Sequence, residues 1–132
     1  MNLNSPVHDR LRWSALEADR RDTNAAIMEL LLLEECVARC ESLSETIDVD
    51  AQEGLLSDLS ECIAACRTYL AAKARESRFE SRLRAYCLDA LHAAMASSDS
   101  LHHHEARSCR QVLRAGIKLL RRHRARSEPS CN

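Results

Sequence analysis

Seven cysteines and a run of three histidines are the residues of this 132-residue chain best suited to chemistry. Cys36-x-x-x-Cys40 and Cys62-x-x-x-Cys66 are each an (i, i+4) pair. On a helix such residues are neighbours on one face, with Cβ atoms about 5–6 Å apart. Two thiolates at that separation can hold a two-coordinate ion between them. Soft thiolate ligands select Cu(I), Zn(II) or iron–sulfur clusters. The C-x-x-C knuckles that build most structural zinc and iron–sulfur sites are absent, and the wider spacing suits ligands carried on helices. A free cysteine is also a small apolar residue that often serves as plain core filler. Against that reading stand two matched pairs, with Cys87 and Cys109 added on faces expected to point inward. Cys131, near the end of the chain, reads as an exposed, incidental thiol.

His102-His103-His104 is expected to open the last helix. It reads either as a polar, solvated first turn or as a set of imidazoles at a bundle end, able to bind metal or pass it inward. His8 and His123 belong to no constellation. His92 follows Cys87 by five residues, a poor spacing for one face, and reads as surface.

The elements that must carry these groups are helical. Only two glycines and two prolines occur, the prolines at positions 6 and 129, and the hydrophobic 45% of the chain is mostly Ala and Leu. These are strong helix formers, and aromatic residues amount to 3%. A short polar leading helix is predicted over 6–21. Asp22, Thr23 and Asn24 then offer caps that restart the chain into a first bundle helix over 24–47, with Leu32, Cys36, Cys40, Leu43 and Ile47 on one stripe. Ile47 to Asp50 forms a turn, with Asp50 capping a second helix over 51–74 that turns Leu55, Leu59, Cys62, Cys66 and Tyr69 inward. Ser77 caps a third helix reaching Ser97, with Phe79, Leu83, Cys87 (or Tyr86), Ala90 and Ala94 inside. After the Ser97-Ser98-Asp99-Ser100 loop, a fourth helix over 101–124 places Cys109, Leu113, Ile117 (or Gly116) and Leu120 inward. Connections this short favour antiparallel neighbours. The expected architecture is all-α: an antiparallel up-down-up-down four-helix bundle over 24–126, with an N-terminal helical extension over 1–23 and a disordered tail over 127–132. ECVARC in the first bundle helix and ECIAAC in the second form a weak internal duplication.

The net charge is −1, but its distribution is uneven. Ten acids against one base, Arg39, lie between Glu29 and Glu61, and eight bases without an acid lie between Arg107 and Arg126. The first and last bundle helices are therefore expected to attract one another. The basic run has no interleaved aromatics or nucleic-acid motif, which argues against a nucleic-acid partner. A membrane span needs about 20 apolar residues, and none is present. The chain reads as cytoplasmic, where cysteines stay as thiols. No Glu-x-x-His of the di-iron bundle type appears, so an enzyme is not expected.

The stretch from Glu61 to Leu120 resembles the cysteine-rich four-helix bundles that include the bacterial copper storage proteins. ECIAAC and YCLDALHAAMASSDSLHHHEARSC follow that layout, and ECVARC matches the first helix. The resemblance implies core thiolates that bind Cu(I), with uptake at one polar end. The matching ligands are Cys36, Cys40, Cys62, Cys66, Cys87 and Cys109, with His104 or a neighbour at the mouth. Members of the family carry many more cysteines, whereas here Leu113 and Ile117 follow Cys109, so the implied capacity is low. The expected function is low-capacity copper(I) storage or buffering, with zinc a variant of the same site. The competing expectation is a metal-free helical interaction or structural bundle, able to form a homo-oligomer.

Overall fold

A computed structural model describes the backbone of residues 6–50 and 52–127 and the side chains of 13–50 and 52–122. The described residues form four helices and no strand: α1 (Pro6–Thr46), α2 (Glu53–Ala74), α3 (Glu80–Ser97) and α4 (His104–Ser127). α1 packs on α2 and α4, and α3 packs on α2 and α4, while the diagonal partners do not approach. The helices thus form a closed square, the expected four-helix bundle. The acid-rich α1 and the base-rich α4 are neighbours in it. No helix among the described residues is long and apolar enough to cross a membrane. The tail over 127–132 lies outside the described residues apart from Ser127, the last residue of α4.

The long first helix corrects the expected restart at Asp22–Asn24. α1 runs unbroken for 41 residues, about 60 Å at 1.5 Å per residue. Thr23 does not cap a new helix. Its hydroxyl instead donates to the Asp19 carbonyl one turn back, at 3.0 Å, a bond that satisfies a hydroxyl inside a helix. The leading helix and the first bundle helix are therefore one element, whose N-terminal half overhangs the bundle.

The connections are held by local hydrogen bonds rather than by the caps expected from sequence. Asp48, not Asp50, organises the first turn, its carboxylate accepting from the Asp50 amide at 3.1 Å. α2 starts behind Gln52, whose side chain makes no capping bond. At the other end of α2 the Ser77 amide reaches Ala72 O at 2.9 Å and the Glu76 amide reaches Lys73 O at 3.2 Å. These are the paired bonds of a Schellman ending. Glu76 takes the left-handed conformation, φ 53°, that this motif requires and that glycine adopts more readily. Ser77 accepts from the Phe79 amide at 3.1 Å, and the α3–α4 loop is tied down by Arg110, which donates to the Ser98 carbonyl.

The core is built from Leu33, Leu43, Leu59, Leu91, Leu113 and Leu120 around six buried cysteines. α2 and α4 bury the residues expected of them, with both Gly116 and Ile117 inside α4. On α1, Cys36, Cys40 and Leu43 are buried as expected and Ile47 is half-buried, but the fully buried leucine at the head of the stripe is Leu33. Leu32 is only partly buried, because the stripe begins one turn earlier, at Glu29. On α3, Cys87 rather than Tyr86 points inward, Leu83 is half-buried, and Phe79 is exposed at the helix start. Tyr86 lies outside, donating its hydroxyl to Glu61 of α2.

Candidate metal centre

Each helix delivers its cysteines to the bundle axis because each lies on its apolar stripe. The sulfurs meet. Cys40 and Cys109 bring α1 and α4 together with Sγ atoms 3.9 Å apart, and Cys66 and Cys87 join α2 to α3 at 3.6 Å. Cys62 lies between these two pairs, close enough to Cys40 and to Cys66 to shift both thiols. Five thiols therefore run in series, Cys109–Cys40–Cys62–Cys66–Cys87, through all four helices. Cys36 stands beside this chain and donates to the Val112 carbonyl of α4 at 3.5 Å.

That last contact depends on Gly116. A Cβ there would lie 3.1 Å from the Cys36 sulfur, 3.4 Å from Leu91 Cδ1 and 3.8 Å from Leu33 Cδ2. The absent side chain is what lets α1 approach α4 at this level. Gly116→Leu is expected to overpack the junction and lower stability by about 1–3 kcal/mol, read as a lower denaturant midpoint. An unchanged midpoint would mean that α4 moves aside freely.

The environment keeps most of these thiols protonated. Burial, with the Cys66, Cys62 and Cys109 groups nearby, pushes the Cys36 thiol well up. Cys40 is raised by the hydrogen bond it shares with Cys109, by the nearby Cys62 thiol and by burial. For Cys62 the Cys40 thiol pulls down, but the Cys66 thiol and burial outweigh it. Cys66 is likewise pulled down by Cys62 and raised on balance by Cys87 and burial. Cys109 moves the other way. The hydrogen bond from Cys40 favours its thiolate, with Arg110 and Arg39 adding to the effect over the opposing burial. The Cys40–Cys109 pair thus loses its first proton easily and its second with difficulty.

The donor set fits a soft cation. At a metal–sulfur bond of about 2.3 Å, tetrahedral and trigonal sites hold sulfurs about 3.8 and 4.0 Å apart, close to the two Sγ separations above. Among the described residues no group of three or more His, Cys, Asp or Glu side chains is already gathered as a metal site. The preformed units are pairs.

The histidines are separate from the sulfurs. His104 is the first residue of α4 and is exposed. His103, also exposed, uses Nδ1 to accept from the Ala106 amide at 3.3 Å, so it caps the helix. His92 is exposed and lies 3.1 Å from Arg121 Nη2. The side chains of His8 and His123, and all of Cys131, lie outside the described residues.

The sequence reading missed a polar network at the end of the bundle away from His104. Glu29 of α1 is fully buried and accepts a hydrogen bond from the Tyr69 hydroxyl of α2. Arg84 of α3, also buried, donates to that hydroxyl at 3.1 Å and to Glu80 at 3.1 Å. The Lys73 ammonium lies 3.1 Å from Glu29 and 6.0 Å from the centre of the Tyr69 ring. Burial and the Glu29 carboxylate push the Tyr69 phenol up, with Arg84 opposing. A signal existed in the spacing. Glu29-Leu33-Cys36-Cys40 and Arg84-Cys87-Leu91-Ala94 are unbroken stripes, each beginning with a charged residue.

Fold and site together define a class: an all-helical bundle with a buried, multi-helix thiol core. No protein-family model matches the chain, and no curated protein or solved structure matches it either. The resemblance to cysteine-rich bundles rests on the residues quoted above.

Proposed function

We propose that this chain is a low-capacity Cu(I) store or buffer whose ligands are the core thiolates of Cys36, Cys40, Cys62, Cys66, Cys87 and Cys109. The observation that carries the reading is the unbroken series of five thiols crossing all four helices without water-exposed sulfur. A soft monovalent ion satisfied by two or three sulfurs suits a core of thiol pairs. Binding displaces thiol protons, so affinity falls in acid. The surrounding Leu and Ala side chains exclude water and oxidants. His104, exposed at one end of the bundle, serves uptake rather than holding the stored ion. The reading belongs to a reducing compartment such as the cytoplasm, where the thiols persist.

The test is an anaerobic Cu(I) titration against a chromogenic chelator. The wild-type chain is expected to withdraw more than one Cu(I) and to release protons as it does so. The Cys36→Ser, Cys40→Ser, Cys62→Ser, Cys66→Ser variant is expected to withdraw almost none. No retention by the wild type, or equal retention by the variant, would remove the proposal. One zinc per chain in tetrahedral sulfur geometry would replace copper with zinc at the same residues.

A second reading is a metal-free structural or interaction bundle. It is favoured by the hydrogen bonds the thiols already make with one another and by the absence of a gathered three-donor group among the described residues. It predicts that Cys→Ala at the paired sites folds almost normally.

A further inference from the structure

α1 carries two apolar stripes, and the bundle uses only one. The first, from Glu29 through Leu33, Cys36 and Cys40, faces the core. The second lies on the outer side and consists of Trp13, Leu16, Arg20, Thr23, Ile27 and Leu30. Its spacing of 3, 4, 3, 4 and 3 residues is the a/d pattern of a coiled-coil seam. At about 100° per residue the seam is centred about 140° away from the core stripe. Its apolar members are open to solvent: Trp13 is 69% exposed, Leu16 58%, Ile27 48% and Leu30 41%. Leu31, 57% exposed, flanks it.

The seam is self-complementary. Read backwards about its midpoint between Arg21 and Asp22, Trp13 falls on Leu30, Leu16 on Ile27 and Arg20 on Thr23. Apolar residues meet apolar residues in either direction, but only an antiparallel second copy sets each Arg20 against a Thr23 instead of against another Arg20. A parallel pairing would stack Trp13 on Trp13 and Arg20 on Arg20. The polar Arg20/Thr23 layer fixes the register, as a polar seam position does. Each Arg20 brings its own counter-ion, since Glu17 lies 2.5 Å away. The overhang carries four acids and four bases over residues 6–23, so two copies meet without net repulsion. Because the seam and the core stripe face apart, the two bundles sit at opposite ends and on opposite sides of the shared segment.

We propose that two copies of this chain pair through an antiparallel coiled coil formed by residues 13–30 of α1. The seam is only about 26 Å long, short enough that the dimer exchanges and its population follows concentration. The pairing is independent of copper.

Sedimentation equilibrium of the full chain under reducing conditions tests it. The mean mass is expected to rise from 14.9 kDa toward twice that value between micromolar and millimolar protein. Trp13→Lys and Leu30→Glu, each on the exposed side of α1, are each expected to weaken association roughly tenfold or more with unchanged helix content. Leu16→Glu serves as a third check. Combining Trp13→Lys with Leu30→Glu is expected to restore the dimer, because only the antiparallel register sets the new lysine against the partner's new glutamate. A chain that stays monomeric throughout, or that associates equally well in both single variants, overturns the proposal. A double variant no tighter than its parents overturns the antiparallel register.

Discussion

Raising the pH above about 9 is expected to unfold the bundle steeply, under anaerobic and reducing conditions. Cys36, Cys40, Cys62 and Cys66 all have thiols pushed above the ordinary value of 9.0 in the folded chain. In the unfolded chain they titrate normally, near 8.5–9. Below that range both states hold the protons, and the full stability is present. Above it the unfolded state sheds protons that the native state keeps, so stability falls as pH rises, until the folded thiols themselves ionise. The slope is about 1.4 kcal/mol per pH unit for each thiol, or roughly 5 kcal/mol per unit for the four. A domain of this size has about 5–15 kcal/mol to lose, so two units suffice to consume most of it. Cys109, whose thiol is pushed down, acts with the opposite sign, and its contribution is complete by the ordinary thiol range. Denaturant midpoints at pH 8 and 10 check the expectation. A midpoint that holds or rises would show that the sulfurs are solvated and not in one dry core. The four-serine variant should lose the slope.

Removing the Glu29 carboxylate is expected to be the most damaging single change, costing about 3–5 kcal/mol, the usual consequence of leaving a buried ion without its partner. Glu29→Ala strips the Lys73 ammonium of its counter-ion at 3.1 Å and the Tyr69 hydroxyl of its acceptor. The Arg84 guanidinium keeps Glu80. The companion change is informative. Replacing Glu29 and Lys73 together with leucine and methionine should recover most of the loss, because apolar groups of similar volume often substitute for a buried pair at little cost. Thermal or urea unfolding of the three proteins decides it. A Glu29→Ala loss below about 1 kcal/mol would place the group at a hydrated surface pair.

The legible and illegible parts of the structure divide on physical grounds. Cysteines at i and i+4 among leucines announce a helical face, and that face proved to be the core on α1 and α2, as did the faces of the single cysteines Cys87 and Cys109 on α3 and α4. Chain closure into a square followed from short polar connections. What the residues concealed was where charge is tolerated inside. An isolated buried ion is costly, so a lone Glu or Arg is ordinarily an exterior residue, and only the mutual arrangement of Glu29 and Arg84 with Tyr69 and Lys73 removes that cost. Thr23 and Asn24 concealed the continuity of α1, since a hydroxyl that caps one helix can equally bond the carbonyl behind it. The meeting of sulfurs from all four helices was legible as register, but the 3.6 and 3.9 Å separations were not, because they depend on how closely each pair of helices packs in three dimensions.

The repeated ECxxxC segment acquires a geometric meaning from the direction of its two copies. α1 and α2 run oppositely, so Cys40 lies level with Cys62 and Cys36 with Cys66. A half-turn about an axis perpendicular to this hairpin exchanges the two levels. One short segment, written twice and read in opposite senses, therefore supplies four of the six central sulfurs with approximate dyad symmetry, and α3 and α4 complete the set with one residue each.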